Sequence, residues 1–180
     1  IEDKDENLWI GTNKGISIFD KINESFIRIS HIEIDTSVSS LKHVYDIYED
    51  TYGDIWVGTY EGLYRLKNGK SEWQSFTNKR GNSNSISDNN IRSICEDKNG
   101  FLLLATGTGG VNKYDTKKGR FSCFREKDGL QNDKAFDIVE DINKDIWVAT
   151  SIGISKINTD DYSIKNFGKA DGIESIPSYT

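Results

Sequence analysis

The sequence predicts an all-β chain, and three observations carry that prediction. A short motif recurs four times, at Asn7 to Ile18, Asp54 to Arg65, Phe101 to Lys113 and Asp145 to Lys156. Each copy is a run of β-branched and aromatic residues, a glycine turn and the start of a second such run. Turn-making falls to Gly, Asn and Asp, because Pro177 is the only proline.

The register of the repeat is held by an anchor position, filled by Trp9, Trp56, Leu103 and Trp147. The anchors lie 47, 47 and 44 residues apart (56−9, 103−56 and 147−103). Seven residues before each one stands a glutamate: Glu2, Glu49, Glu96 and Glu140. An aspartate follows each glutamate: Asp3, Asp50, Asp97 and Asp141.

Within a unit the residues read as four short strands. The first is the apolar run Val44 to Tyr48, repeated as Ile91 to Cys95 and Ala135 to Val139. A polar turn, Asp50 to Asp54, leads to the second strand, Ile55 to Gly58. The third, Leu63 to Leu66, follows the glycine turn, and the fourth is Glu72 to Phe76. The fourth strand carries apolar pairs three apart: Phe26 and Ile29, Trp73 and Phe76, Phe121 and Phe124, Ile164 and Phe167. Strict alternation gives a spacing of two, so a bulge or strong twist is expected in this outer strand.

The third copy departs from the pattern. Its glycine turn, Gly107-Thr108-Gly109-Gly110, is one residue longer, and Leu103 replaces the tryptophan. That run joins two strands and opens no helix, which argues against a phosphate-binding loop. The segments between units, His31 to His43, Asn78 to Asn90, Lys127 to Lys134 and Lys169 to Pro177, are polar and without helical periodicity. Almost no helix is expected.

A four-stranded unit of this length is a β-propeller blade. Stacked blades cover one another's faces, which assigns the anchors to packing between blades. The blade units are approximately 1–43, 44–90, 91–134 and 135–180, all in one segment spanning 1–180. Copy one lacks its inner strand, and Ser178-Tyr179-Thr180 would begin the next, with Tyr179 aligned to Tyr45 and Phe136. The expectation is an arc of about four blades cut from a larger ring. Its open faces should meet other blades or a second copy.

A net charge of −6 with interspersed signs works against nucleic acid and anionic membrane surfaces as partners. No apolar run is long enough to span a bilayer. Cys95 and Cys123 match no metal spacing, and the register puts them on an inner and an outer strand, too far apart for a disulfide. His31 and His43 lack partners at ligand spacing and read as surface residues. No nucleophile–base pair stands out, so no catalytic residue, metal or cofactor is assigned.

The stretch Glu49 to Leu66, with Ile86 to Ile91 before an inner strand and Gly109 to Asp115 followed by Gly119-Arg120-Phe121, resembles the two-component regulator propeller repeat. The resemblance covers the whole chain. It departs at Leu103, Ala105 and Ala149 and at the missing glycine before Trp147. It implies an extracytoplasmic, periplasmic or cell-surface sensor segment of a membrane histidine kinase, often a hybrid two-component system that responds to oligosaccharides.

The loops before the first strand and after the second share one propeller face. They include Asn82 to Asn90, Leu130 to Lys134, Ser175 to Pro177, Asn13-Lys14, Tyr60-Glu61, Gly107-Thr108 and Ser151-Ile152. Polar loops with aromatics suit a sugar, whose hydroxyls bond carboxylates and amides while its C–H faces stack on rings. The candidate ligand residues are Tyr45, Arg92, Phe136, Asp88, Asn89, Asn132, Tyr60 and Glu61. Tyr45, Arg92 and Phe136 occupy one first-strand position whose chemistry varies while its neighbours stay constant. Arg92 suits an acidic sugar's carboxylate, or else lays its stem over apolar surface. Two other readings stay open. A propeller lyase or hydrolase would need loop carboxylates such as Glu61, Asp88 and Asp133 to converge, and a protein-interaction scaffold would need no small-ligand pocket.

Overall fold

A computed structural model describes residues 1–34 and 37–173. The strands run in chain order. Blade one holds β1 (Leu8–Thr12), β2 (Gly15–Asp20) and β3 (Ser25–Ile29), with Glu2 bridging Leu8 in place of a first strand. A two-stranded hairpin follows, β4 (His31–Ile34) and β5 (Ser37–Ser40). Blade two is β6 (Val44–Glu49), β7 (Ile55–Thr59), β8 (Leu63–Leu66) and β9 (Trp73–Phe76). Blade three is β10 (Ile91–Glu96), β11 (Phe101–Thr106), β12 (Val111–Asp115) and β13 (Arg120–Phe124). Blade four is β14 (Ala135–Glu140), β15 (Ile146–Thr150), β16 (Gly153–Ile157) and β17 (Ile164–Phe167). Each blade is an antiparallel meander, and the only helices among the described residues are two short 3-10 turns, Glu126–Asp128 and Lys169–Asp171. The fold is therefore the expected all-β propeller arc. The loop at Ser175 to Pro177 and the strand start at Ser178 to Thr180 lie outside the described residues.

Strand alternation explains how the blades stack. Trp56 points toward blade three, where it joins Ile94 and Leu104, while Ile55 and Val57 point back to Trp9 and Ile16 of blade one. Leu103 points forward onto Ile138 and Val148 of blade four, and Leu102 and Leu104 point back. Leu102, Leu103 and Leu104 are all fully buried because β11 is covered on both sides. Each such side chain contributes about 1.5–3 kcal/mol by leaving water. At the arc's ends the same positions lose their cover. Ile10, the counterpart of Val57, is 37% exposed, and Trp147 is half-buried against Phe167.

The motif residues have defined work. The aspartate of each Glu-Asp pair accepts two backbone N–H bonds that close the following turn, as Asp50 does from Tyr52 and Asp54. Its second oxygen takes the anchor indole: Trp9 donates to Asp3 at 2.6 Å, Trp56 to Asp50 at 2.8 Å and Trp147 to Asp141 at 2.8 Å. In blades two and three the glutamate reaches back one blade. Glu49 accepts from the Lys4 N–H, and Glu96 from both the N–H and the hydroxyl of Thr51. The threonine before each glycine turn closes it by donating to a glycine carbonyl, from Thr12, Thr59, Thr106 and Thr150.

Two expectations need correction. The outer strands pair in unbroken register, Trp73 opposite Leu66 and Phe76 opposite Leu63, so the outer-strand bulge is absent. The irregularity lies instead on the inner strand, between Val44 and Asp46, Ile91 and Ser93, and Ala135 and Asp137. Within the expected polar linker His31 to His43, residues 31–34 and 37–40 pair as β4 and β5, and Ile32 enters the core between blades one and two.

Candidate functional site

The inner-strand irregularity falls on Tyr45, Arg92 and Phe136. In blades two, three and four the ladder pairs the residue before and the residue after, and skips this one. A bulged residue is left out of the pairing and its side chain is re-aimed. The next residue secures the bulge. Asp46 accepts from its own neighbour's N–H at Ile47 and from the Ile94 N–H of blade three. Asp137 accepts from the Ile138 N–H and from the Ser93 hydroxyl. Burial raises the Asp46 carboxyl above its usual range, partly offset by the two backbone N–H bonds. These bonds tie the inner strands of neighbouring blades edge to edge.

The three bulged side chains do not behave alike. The Arg92 guanidinium lies over the Tyr45 ring, 4.8 Å from its centroid, and its Nε is buried without a partner. Tyr45 and Phe136 are 42% and 39% exposed. Arg92 is thus engaged through its guanidinium face with Tyr45.

The loop candidates divide. Tyr60, Glu61, Asp88 and Asn89 line one cleft of about 420 Å³ together with Asn90 and Thr108. Asn132 lies outside that cleft and serves as a tie. It accepts from the Ser151 hydroxyl and the Lys134 N–H and donates to Glu126. Asp88 plays the matching part in blade three, accepting from the N–H and hydroxyl of Thr108 and from the Asn90 N–H. Asn89 accepts from the Asn78 N–H. Tyr60 and Glu61 keep exposed side chains, and the His43 ring meets Tyr60 edge-on at 6.5 Å.

Asn90 and Thr108 were not singled out from the sequence. The signal was present in the lengthened third turn, where Thr108 is flanked by glycines that press on the Ser87 to Asn90 loop. A Cβ on Gly107 would come within 2.4 Å of Asn90 Nδ2, and one on Gly109 within 2.2 Å of Ser87 Oγ. The carboxylates named for a possible hydrolase do not converge. Glu61 and Asp88 share the cleft, while Asp133 pairs with Arg125 and accepts the Glu126 N–H. Cys95 is buried and Cys123 half-buried, both free, on an inner and an outer strand as expected.

Repeated four-stranded antiparallel blades define this chain as a β-propeller arc. Residues 38–61 and 85–108, in blades two and three, match the family described as two component regulator propeller. No curated protein matches the chain. Among solved structures, the extracellular domain assigned to the hybrid two component system BT3049 from B. thetaiotaomicron aligns with a TM-score of 0.78 and 24% identity, over 99% of this chain and 23% of that one. The corresponding domain of BT4673 from the same organism gives 0.78 and 22%, over 93% and 23%. Virginiamycin B lyase from Staphylococcus aureus gives 0.62 and 14%, over 99% and 55%. At these identities the likeness is one of fold. The chain spans about a quarter of the two extracellular domains and about half of the lyase. Among the described residues no helix is long and apolar enough to cross a membrane.

Proposed function

We propose that this chain is a non-catalytic, ligand-sensing arc of an extracytoplasmic two-component sensor, and that its ligand is an oligosaccharide. One observation carries the reading: the ladder skips the same inner-strand position in blades two, three and four, where Tyr45, Arg92 and Phe136 present different chemistry. The repeat family and the extracellular domains of like fold support a sensor role. The lyase of like fold raises catalysis as a second reading, which the separation of Asp133 from the Glu61–Asp88 cleft disfavours.

The exposed end faces, with Ile10 and Phe26 on one side and Val139 on the other, are apolar. In this reading further blades or a second copy covers them. Titrating oligosaccharides against the intact protein by calorimetry tests the proposal, with saturable binding expected. Absence of binding to any saccharide, or turnover of one, would overturn it.

A further inference from the structure

The cleft at the seam of blades two and three has a chemistry of its own. Its floor is built by the lengthened third turn, whose glycines let Thr108 sit against Asp88. Asp88 already accepts three bonds, from the N–H and hydroxyl of Thr108 and from the Asn90 N–H. One acceptor stays open: the Glu61 carboxylate is exposed, and among the described residues nothing pairs with it. The Tyr60 ring is 56% exposed at the rim. No lysine, arginine or histidine lines the cleft.

An open carboxylate beside a second one, with no cation among the lining residues, favours a ligand that donates hydrogen bonds and carries no negative charge. An aromatic face at the rim favours one with flat C–H surfaces. We propose that this seam is a subsite for an uncharged, hydroxyl-rich ligand, a neutral saccharide rather than an acidic one. Glu61 accepts from its hydroxyls and Tyr60 stacks on a ring. The inference rests on the saccharide reading above and adds to it a place and a charge preference. Arg92 does not supply the missing cation, because it is absent from the cleft lining and its guanidinium lies over Tyr45.

The test uses the intact protein on a glycan array holding neutral and uronate-bearing oligosaccharides, with hits followed by calorimetry. Neutral glycans are expected to bind. Tyr60→Ala and Glu61→Gln should each weaken them by about tenfold, the effect of losing one stacking or charge-assisted contact. Tyr60→Phe should retain affinity and, with circular dichroism, separates contact loss from misfolding. Binding of uronate glycans alone, or neutral binding unchanged by both substitutions, would overturn the cleft assignment while leaving saccharide sensing intact. Absence of any hit would overturn both.

Discussion

The hydroxyl of Tyr162, in the turn between β16 and β17, donates to Asp97 of blade three at 2.7 Å. Asp97 is 4% exposed and occupies the place that Asp3, Asp50 and Asp141 hold in the other blades, where a tryptophan indole is the donor. Blade three has Leu103 at the anchor, so its aspartate is satisfied from the neighbouring blade instead. The Tyr162 ring fills the vacated space, stacked on Phe124 and capped by the Lys113 ammonium at 3.5 Å.

Tyr162→Phe removes that donor and leaves a buried carboxylate short of a partner. The expected loss is about 1–3 kcal/mol, read from urea denaturation. Leu103→Trp, which restores the residue the other copies carry, should destabilise too, by about 1–3 kcal/mol through overpacking, because Tyr162 already occupies the site.

Trp56→Phe and Trp147→Phe delete the same indole bond in two settings. Trp56 is fully buried on Asp50, itself 2% exposed. Its substitution should cost about 2–4 kcal/mol, combining an unsatisfied acceptor with a cavity. Trp147 is half-buried on half-buried Asp141, so its cost should be smaller, and equal losses would show that the bond is not graded by burial.

Stability should fall in strong base. Burial pushes the Tyr48 hydroxyl up to about 12, and burial raises Tyr162 as well, the bond to Asp97 adding to it. An unfolded tyrosine ionises near 10. A group with a raised folded pKa contributes stability that is full below the unfolded value and lost as pH rises through the folded one. Chemical denaturation midpoints should therefore drop between about pH 10 and pH 12. Tyr48→Phe should flatten that drop, and an unchanged slope would exclude Tyr48 as a contributor.

Two left-handed glycines separate steric from conformational cost. Gly69 has φ +69° with nothing near a would-be Cβ, whereas Gly110 has φ +75° and would place Cβ 2.2 Å from the Phe124 carbonyl oxygen. Gly69→Ala should cost about 1 kcal/mol, the left-handed penalty alone. Gly110→Ala should cost clearly more in the same thermal melt, since the clash is with backbone.

The blades were legible because the pattern is local: alternating apolar residues, turn chemistry and a constant register identify each meander without tertiary knowledge. The bond between each anchor tryptophan and its aspartate was hidden, although both residues were noticed, because the contact spans a turn whose geometry no spacing reveals. Reading Trp73 and Phe76 as bulged failed for a related reason: both are half-buried in a regular ladder, and apolar spacing alone does not report pairing. The β4–β5 hairpin was passed over as linker despite the alternation His31-Ile32-Glu33-Ile34. Among site candidates, Asp88 and Asn132 looked free to meet a ligand because they are polar and in loops. Their partners, Thr108 and Ser151, belong to the next loop of the same blade and only the fold brings them near.

The bulge at Tyr45, Arg92 and Phe136 separates two kinds of selection. Every other inner-strand residue answers to a partner across the ladder, so changing it disturbs the sheet. The skipped residue owes nothing to pairing, and in blades two and four the bonds of Asp46 and Asp137 hold the kink from the position beside it. A substitution there leaves the ladder's pairs untouched, and at Tyr45 or Arg92 it costs only the contact between those two side chains.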